Sequence, residues 1–228
     1  MERLLLFCYV LLSTYCCVAQ DQVSKEIDSL YKEDQIYAGV TYNLLAKKPE
    51  NVEQNGFSLG FHFGFIKDMP INRNRNIALG MGLGYSANSY NQNVLISRTN
   101  EIVNYSIDAS SSFRKNKFST HLIEMPLEFR WRTSTPTEYS FWRIYTGIKF
   151  GYVFAHRIKY RGDLGDYKLN NVDDFNKLQY GITLSFGYNT WNLHVYYGLN
   201  PVFDGATALN GEAIDFNTVK IGLMFYLL

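Results

Sequence analysis

Glu124, Glu128 and Arg130 stand at even positions of one short stretch, Ile123 to Trp131 (IEMPLEFRW), and Arg143 and Lys149 at odd positions of the next. On paired strands, two-residue spacing puts such groups on one face, where opposite charges are favourable neighbours. Taken out of water, ions of this kind must be paired, because an isolated one would neutralise. With a turn centred near Thr135–Thr137, Glu124 falls opposite Lys149 and Glu128 lies diagonal to Arg143. The expectation is an internal salt-bridge network that plugs the space between strands. A narrow, porin-like ion path with a charged lumen is the alternative.

Four histidines offer acid–base chemistry: His62, His121, His156 and His194. His62 and His194 fall on the same face as the charges but on separate strands. A hydrolase needs a nucleophile, a base and an orienting acid within mutual reach, and no serine spacing supplies all three at one level. A membrane-embedded lipid hydrolase using either histidine is therefore a third alternative, and ordinary structural histidines are the expectation. Gly80-Met81-Gly82-Leu83-Gly84 superficially resembles a phosphate loop, but such a cradle sits between a strand and a helix start. Here the glycines alternate inside one strand. Arg161-Gly162-Asp163 is a tripeptide that chance supplies often. Asp163, Asp166, Asp173 and Asp174 carry the hard oxygens calcium takes, at a spacing matching no known calcium loop. No catalytic residue, metal or cofactor is assigned, and the expectation is that the protein is not an enzyme.

The elements that position these residues have a period of two. Phe57 to Phe65 is large and apolar at every odd position, and small or polar at every even one. Ile36 to Leu44, Ile77 to Tyr85, Ile123 to Trp131, Trp142 to Phe154, Tyr180 to Tyr188, Trp191 to Leu199 and Val219 to Leu227 repeat the alternation. These segments match the ~9–11 residues of a tilted membrane strand, whereas soluble strands average ~5–6. The non-apolar face is rich in glycine, serine and threonine, too small for the outside of a soluble sheet. Inside an eight-stranded barrel, which side chains just fill, glycines leave room for a few long residues. The fold expected is all-β: a single eight-stranded antiparallel up-and-down transmembrane barrel with short periplasmic turns and longer extracellular loops.

Composition agrees: 18 Tyr, 16 Phe and 3 Trp accompany 17 Gly, and the net charge of +1 provides no field to attract nucleic acid. Arg3, the apolar run Leu4 to Leu12 and Cys17-Val18-Ala19 read as a signal peptide over residues 1–20, too short to span a bilayer. All three cysteines lie there, so disulfides and thiolate chemistry are not expected in the mature chain. Residues 21–34 read as a periplasmic tail or short docking helix, and 35–228 as the barrel. The three longest gaps between strands fall on one side, taken as extracellular, and Asn189-Thr190 forms the tightest turn on the other. Trp131, Trp142 and Trp191 then form a girdle at the periplasmic boundary, with Tyr85, Phe154, Tyr180 and Tyr197 at the outer one. Both termini are expected in the periplasm and the barrel in the outer membrane.

The last strand, Lys220 to Leu228, resembles the insertion signal of outer-membrane barrels through Lys220, Gly222, Phe225 and Leu227, with Leu228 replacing the usual final aromatic. That resemblance implies contact with the barrel-assembly machinery as well as with outer-membrane lipid. Nearly the whole mature chain resembles the PorT-like outer-membrane β-barrel family. The match rests on His121 to Arg132, similar to that family's Glu-x-Pro-Leu strand, on Ile77 to Tyr85, and on the glycine-aromatic C-terminal strand. Pro126, inward-facing and mid-strand, should mark a bulge or a missing ladder bond. What the resemblance implies is a structural or accessory component of an envelope complex, linked to type IX protein secretion, with the long outer loop Tyr90 to Thr120 as a surface for envelope or secretion-complex proteins.

Overall fold

The computed structural model describes residues 32–100, 102–107, 113–135, 141–170 and 172–227. The signal-peptide reading and most of the expected tail lie outside the described residues.

Eleven strands follow one another among the described residues: β1 (Gln35–Ala46), β2 (Leu59–Pro70), β3 (Ile77–Asn91), β4 (Val94–Thr99), β5 (Ile102–Ile107), β6 (Phe113–Arg132), β7 (Trp142–Gly162), β8 (Gly165–Asn170), β9 (Leu178–Tyr188), β10 (Trp191–Gly198) and β11 (Asn217–Leu227). Eight of them, β1, β2, β3, β6, β7, β9, β10 and β11, pair antiparallel with their chain neighbours. The wall closes where β1 meets β11, from Ile36 opposite Leu227 to Ala46 opposite Asn217. The result is the up-and-down barrel expected from the alternation.

Outward positions carry the apolar rows, such as Phe61, Phe63 and Phe65 on β2 and Leu79, Met81 and Leu83 on β3, all exposed on the monomer. A continuous apolar band of this kind needs an apolar surrounding. Leu127, outward on β6 midway between His121 and Trp131, tests the phase. Leu127→Arg should cost about 2–4 kcal/mol of stability in lipid vesicles if the site lies near the midplane; unchanged urea unfolding would place it away from lipid. Trp131, Trp142 and Trp191 all face outward on one rim, with Trp142 packed on Tyr188 (ring centroids 5.4 Å) and Trp191 on Phe225 (4.9 Å). On the opposite rim Tyr85 lies 6.2 Å from Phe154 and 2.6 Å from His121 Nδ1 through its hydroxyl.

Glycines face inward where large side chains need room. The Tyr37 ring lies over Gly84, and a Cβ there would also come 2.8 Å from the Phe63 carbonyl oxygen. Gly84→Val should destabilise by about 1–3 kcal/mol through overpacking, read as an earlier urea midpoint; Gly205→Ala, in open space but at φ +71°, tests backbone strain instead. Pro126 interrupts the ladder as its missing N–H requires: β3 and β6 pair at Met81–Leu127 and again at Gly84–Glu124, with no pairing between.

The extramembrane architecture differs from the expectation. Rather than ending near the membrane, β3, β6 and β7 run for 15, 20 and 21 residues, well beyond the ~9–11 that span a bilayer. The expected loop Tyr90 to Thr120 is largely strand, containing the β4–β5 hairpin and the outer half of β6. The next connection is likewise a hairpin, β7–β8, with Gly162 opposite Gly165 at its tip. Above the barrel, segments from all these connections bury an apolar core of their own, including Tyr90, Ile96, Tyr105, Phe118, Phe175 and Phe203. Four aromatic rings, Tyr105, Phe118, Phe175 and Phe216, pack on Phe203 with centroids 4.6–5.9 Å away. The barrel interior therefore combines buried polar and charged groups with a small cluster of Tyr37, Ile66, Tyr145, Met224 and Tyr226, and it is capped by an apolar storey.

Candidate functional site

The inward charges collect in two groups. Glu124, in β6, anchors the first at mid-barrel. Its Oε1 accepts a hydrogen bond from Ser86 Oγ (2.7 Å) and lies 3.9 Å from Lys220 Nζ, while Oε2 lies 3.4 Å from both Lys149 Nζ and His62 Nδ1. Four strands thus converge on one buried carboxylate. Lys220 belongs to this group by position, one residue out of phase with the lipid-facing Ile221 and Leu223.

The second group fills the tryptophan rim. Asp68 accepts hydrogen bonds from Arg130 Nη1 and Arg132 Nη1 on Oδ1 and from Arg132 Nη2 on Oδ2, each 2.8 Å. The Glu33 backbone N–H also donates to Oδ2 at 3.3 Å. Glu33 Oε1 lies 3.4 Å from Arg132 Nε, and Glu128 Oε2 3.4 Å from Arg130 Nε. Arg130 Nη2 donates to Gln35 Oε1, and its guanidinium lies 4.1 Å from the Tyr145 ring centroid. Both arginines are 0% exposed. Two guanidinium groups (Arg130, Arg132) thus meet three carboxyl groups (Glu33, Asp68, Glu128), and the nearby Arg143 supplies the third buried cation of the rim.

The expected register is off by two residues. Glu124 lies opposite Gly151 and Glu128 opposite Gly147, because Arg132 pairs with Arg143 and the turn is centred one residue later than Thr135–Thr137 suggests. Lys149 still reaches Glu124, now diagonally. Arg143 does not reach Glu128; it stacks on Phe141 (4.4 Å) with Nε and Nη1 unpartnered. The sequence reading missed Asp68, Arg132, Glu33 and Gln35. Asp68 and Arg132 simply continue the inward phase of His62 and Arg130 past the last segment counted.

Two hydroxyl–imidazole contacts invite a catalytic interpretation. Ser185 Oγ lies 2.7 Å from His194 Nδ1, but among the described residues His194 Nε2 has no hydrogen-bond partner and no acid orients the ring. Thr41 Oγ1 lies 3.1 Å from His62 Nε2, completing a Thr–His–Glu line to Glu124. The single proton of Thr41 goes to Asn43 Oδ1 (2.8 Å), so His62 is not placed to remove it. All of these groups are buried in the lumen, and the space among Tyr37, Pro126, Glu128, Lys149, His194 and Tyr226 is too tight for water. What the arrangement does chemically is hold charge. The glycines of Gly80 to Gly84 lie within β3, and Arg161, of the Arg-Gly-Asp tripeptide, is ion-paired to Asp166 at 3.4 Å across the β7–β8 hairpin. Asp174 accepts a 2.7 Å hydrogen bond from Tyr105.

Among solved structures, the attachment invasion locus protein Ail of Yersinia pestis is 12% identical in its complex with the heparin analogue sucrose octasulfate, covering 87% of this chain and 100% of that one, with a TM-score of 0.36. Ail without that ligand gives 13%, the same coverage and 0.37. A triple mutant of the Rhodopseudomonas blastica porin gives 8% identity over 86% and 100% of the two chains, with a TM-score of 0.21. A comparison with curated protein sequences gives no match. The model of a family described as outer membrane protein beta-barrel domain matches residues 18–204. With a closed eight-stranded wall, an apolar outer band and a polar interior in place, the chain belongs to the outer membrane protein β-barrel domain family.

Proposed function

We propose that this outer-membrane barrel is a non-enzymatic, non-conducting accessory of an envelope complex, and that its working surface is the storey built by β4, β5, β8 and the outer halves of β3, β6 and β7. The observation that carries this reading is the filled lumen: two ion-paired groups lie inside the wall, an apolar core sits above them, and the space among Tyr37, Pro126, Glu128, Lys149, His194 and Tyr226 is too tight for water. A pore needs a wet lumen, and a hydrolase needs a reachable nucleophile. Both termini are assigned to the periplasm, supported by the tight Asn189-Thr190 turn and the tryptophan girdle on the rim where β1 begins and β11 ends. Lys220, Gly222, Phe225 and Leu227 serve the barrel-assembly machinery during insertion. The PorT-like resemblance directs the search for partners to the type IX secretion machinery.

The test is a crosslinked pulldown of the tagged barrel from native outer membranes, read by mass spectrometry. Stable recovery of secretion or assembly components is the expected result, with crosslinks on β4, β5 or β8. Purified barrel in planar bilayers should stay silent; steady currents abolished by Lys149→Met would replace this reading with a channel.

A further inference from the structure

The outer halves of β6, β7 and β8 form a three-stranded sheet whose outward face is basic. Lys117 pairs with Lys159, which in turn pairs with Lys168; the next row holds Lys115, Arg161 and Asp166. Arg157 lies one step toward the membrane, opposite Asn170. Among the described residues the sole ion pair on this face is Arg161–Asp166, at 3.4 Å. Like charges directly opposite one another weaken a sheet, and here three lysines stand in one cross-strand row. The Arg161 guanidinium foremost, then desolvation, then Lys115, Lys168 and Lys117 push the Lys159 ammonium below the usual lysine range.

A bulge creates this face. Leu122 pairs with Val153 but His121 pairs with Ala155, so Phe154 is an extra residue and the phase of β7 flips. Below the bulge the odd residues Arg143 and Lys149 point into the lumen. Above it the odd residues Arg157, Lys159 and Arg161 lie on the outer wall, while Ile158 and Tyr160 are buried. On β6 the cations continue the lipid-facing parity of Ile123 and Met125 without interruption. The row at Lys117 lies four residues beyond His121 of the aromatic girdle, ~14 Å along the strand and ~10 Å along the membrane normal at a typical tilt. That is the depth of headgroups. A concavity of about 370 Å³ beside the hairpin is lined by Lys159, Tyr160, Arg161, Asp166, Tyr167 and Lys168, and with Asp166 neutralised by Arg161 its two lysines leave it net positive for an anion.

We infer that Lys117, Lys159 and Lys168, with Lys115 and Arg157, bind the phosphorylated headgroup of a glycolipid in the leaflet that surrounds the barrel's outer rim. The ligand is a lipid because the patch is a vertical continuation of the lipid-facing wall. The inference rests on the proposed orientation. Full-length barrel in nanodiscs carrying phosphorylated lipid A should retain that lipid through detergent exchange, read by native mass spectrometry. Lys117→Gln/Lys159→Gln/Lys168→Gln should lower retention at least ~10-fold while remaining heat-modifiable on gels, since each lost phosphate contact weakens binding. Equal retention by the variant, equal retention of dephosphorylated lipid A, or displacement by millimolar inorganic phosphate overturns the proposal. Separately, Asp163→Cys should react with an impermeant maleimide on intact cells. Labelling only after rupture overturns the orientation and the choice of leaflet together; surface labelling without lipid retention overturns the ligand alone.

Discussion

Asp68→Ala is expected to destabilise the barrel by about 3–5 kcal/mol, the cost of leaving buried guanidinium groups without their partner. Three 2.8 Å bonds from Arg130 and Arg132 end on this one carboxylate, which is buried along with both arginines. Glu33 and Glu128 already face the arginines at 3.4 Å and cannot replace a bidentate contact without a shift of their backbone. The measurement is urea unfolding in lipid vesicles, followed by tryptophan fluorescence. The exposed pair Lys67–Asp34, at 3.7 Å, provides the contrast: Lys67→Ala should cost under about 1 kcal/mol, as solvent screens it. A loss at Asp68 no larger than at Lys67 would show that the rim group is solvated and that the lumen is wet.

Phe203→Ala should cost the cap about 3–5 kcal/mol, the usual range for emptying a buried aromatic site. Phe203 is fully buried beneath Tyr105, Phe118, Phe175 and Phe216, which come from widely separated connections. Its removal should open β4–β5 and the 199–216 connection to protease while the barrel itself stays heat-modifiable, because the wall is held by its own ladder. Pulsed hydrogen exchange should show protection lost at Tyr105 and Val202 and kept at Val40 and Leu223. Simultaneous loss at all four amides would mean that cap and wall unfold as one unit.

The wall was legible in the sequence because one physical rule writes it: lipid outside and a crowded lumen inside force strict alternation over nine or more residues. Phe61, Phe63 and Phe65 announce their face without any knowledge of neighbours. Register was harder to read. It depends on how many residues the turn after Thr133 consumes, and a one-residue misjudgement moves each partner by two, which is why Glu124 faces Gly151 while still touching Lys149. The cap was invisible for another reason. Val52, Tyr105, Val172 and Phe203 lie in stretches with no shared period, and only the closed barrel brings them together. Glu33 was read as tail because nothing local distinguishes a carboxylate that will meet Arg132 from one that will meet water.

The rim group also constrains the order in which the chain can be built. Arg130 bonds Asp68 across 62 residues of sequence and the Glu33 carbonyl across 97, at 3.4 Å for the latter. Contacts this far apart come late, after the loop-closure entropy between them has been met. Until β1, β2 and β6 stand side by side, those arginines cannot enter hydrocarbon cheaply. A half-made barrel is therefore held at the membrane surface, and the final passage into lipid should be abrupt, with the meeting of the first and last strands as its slow step.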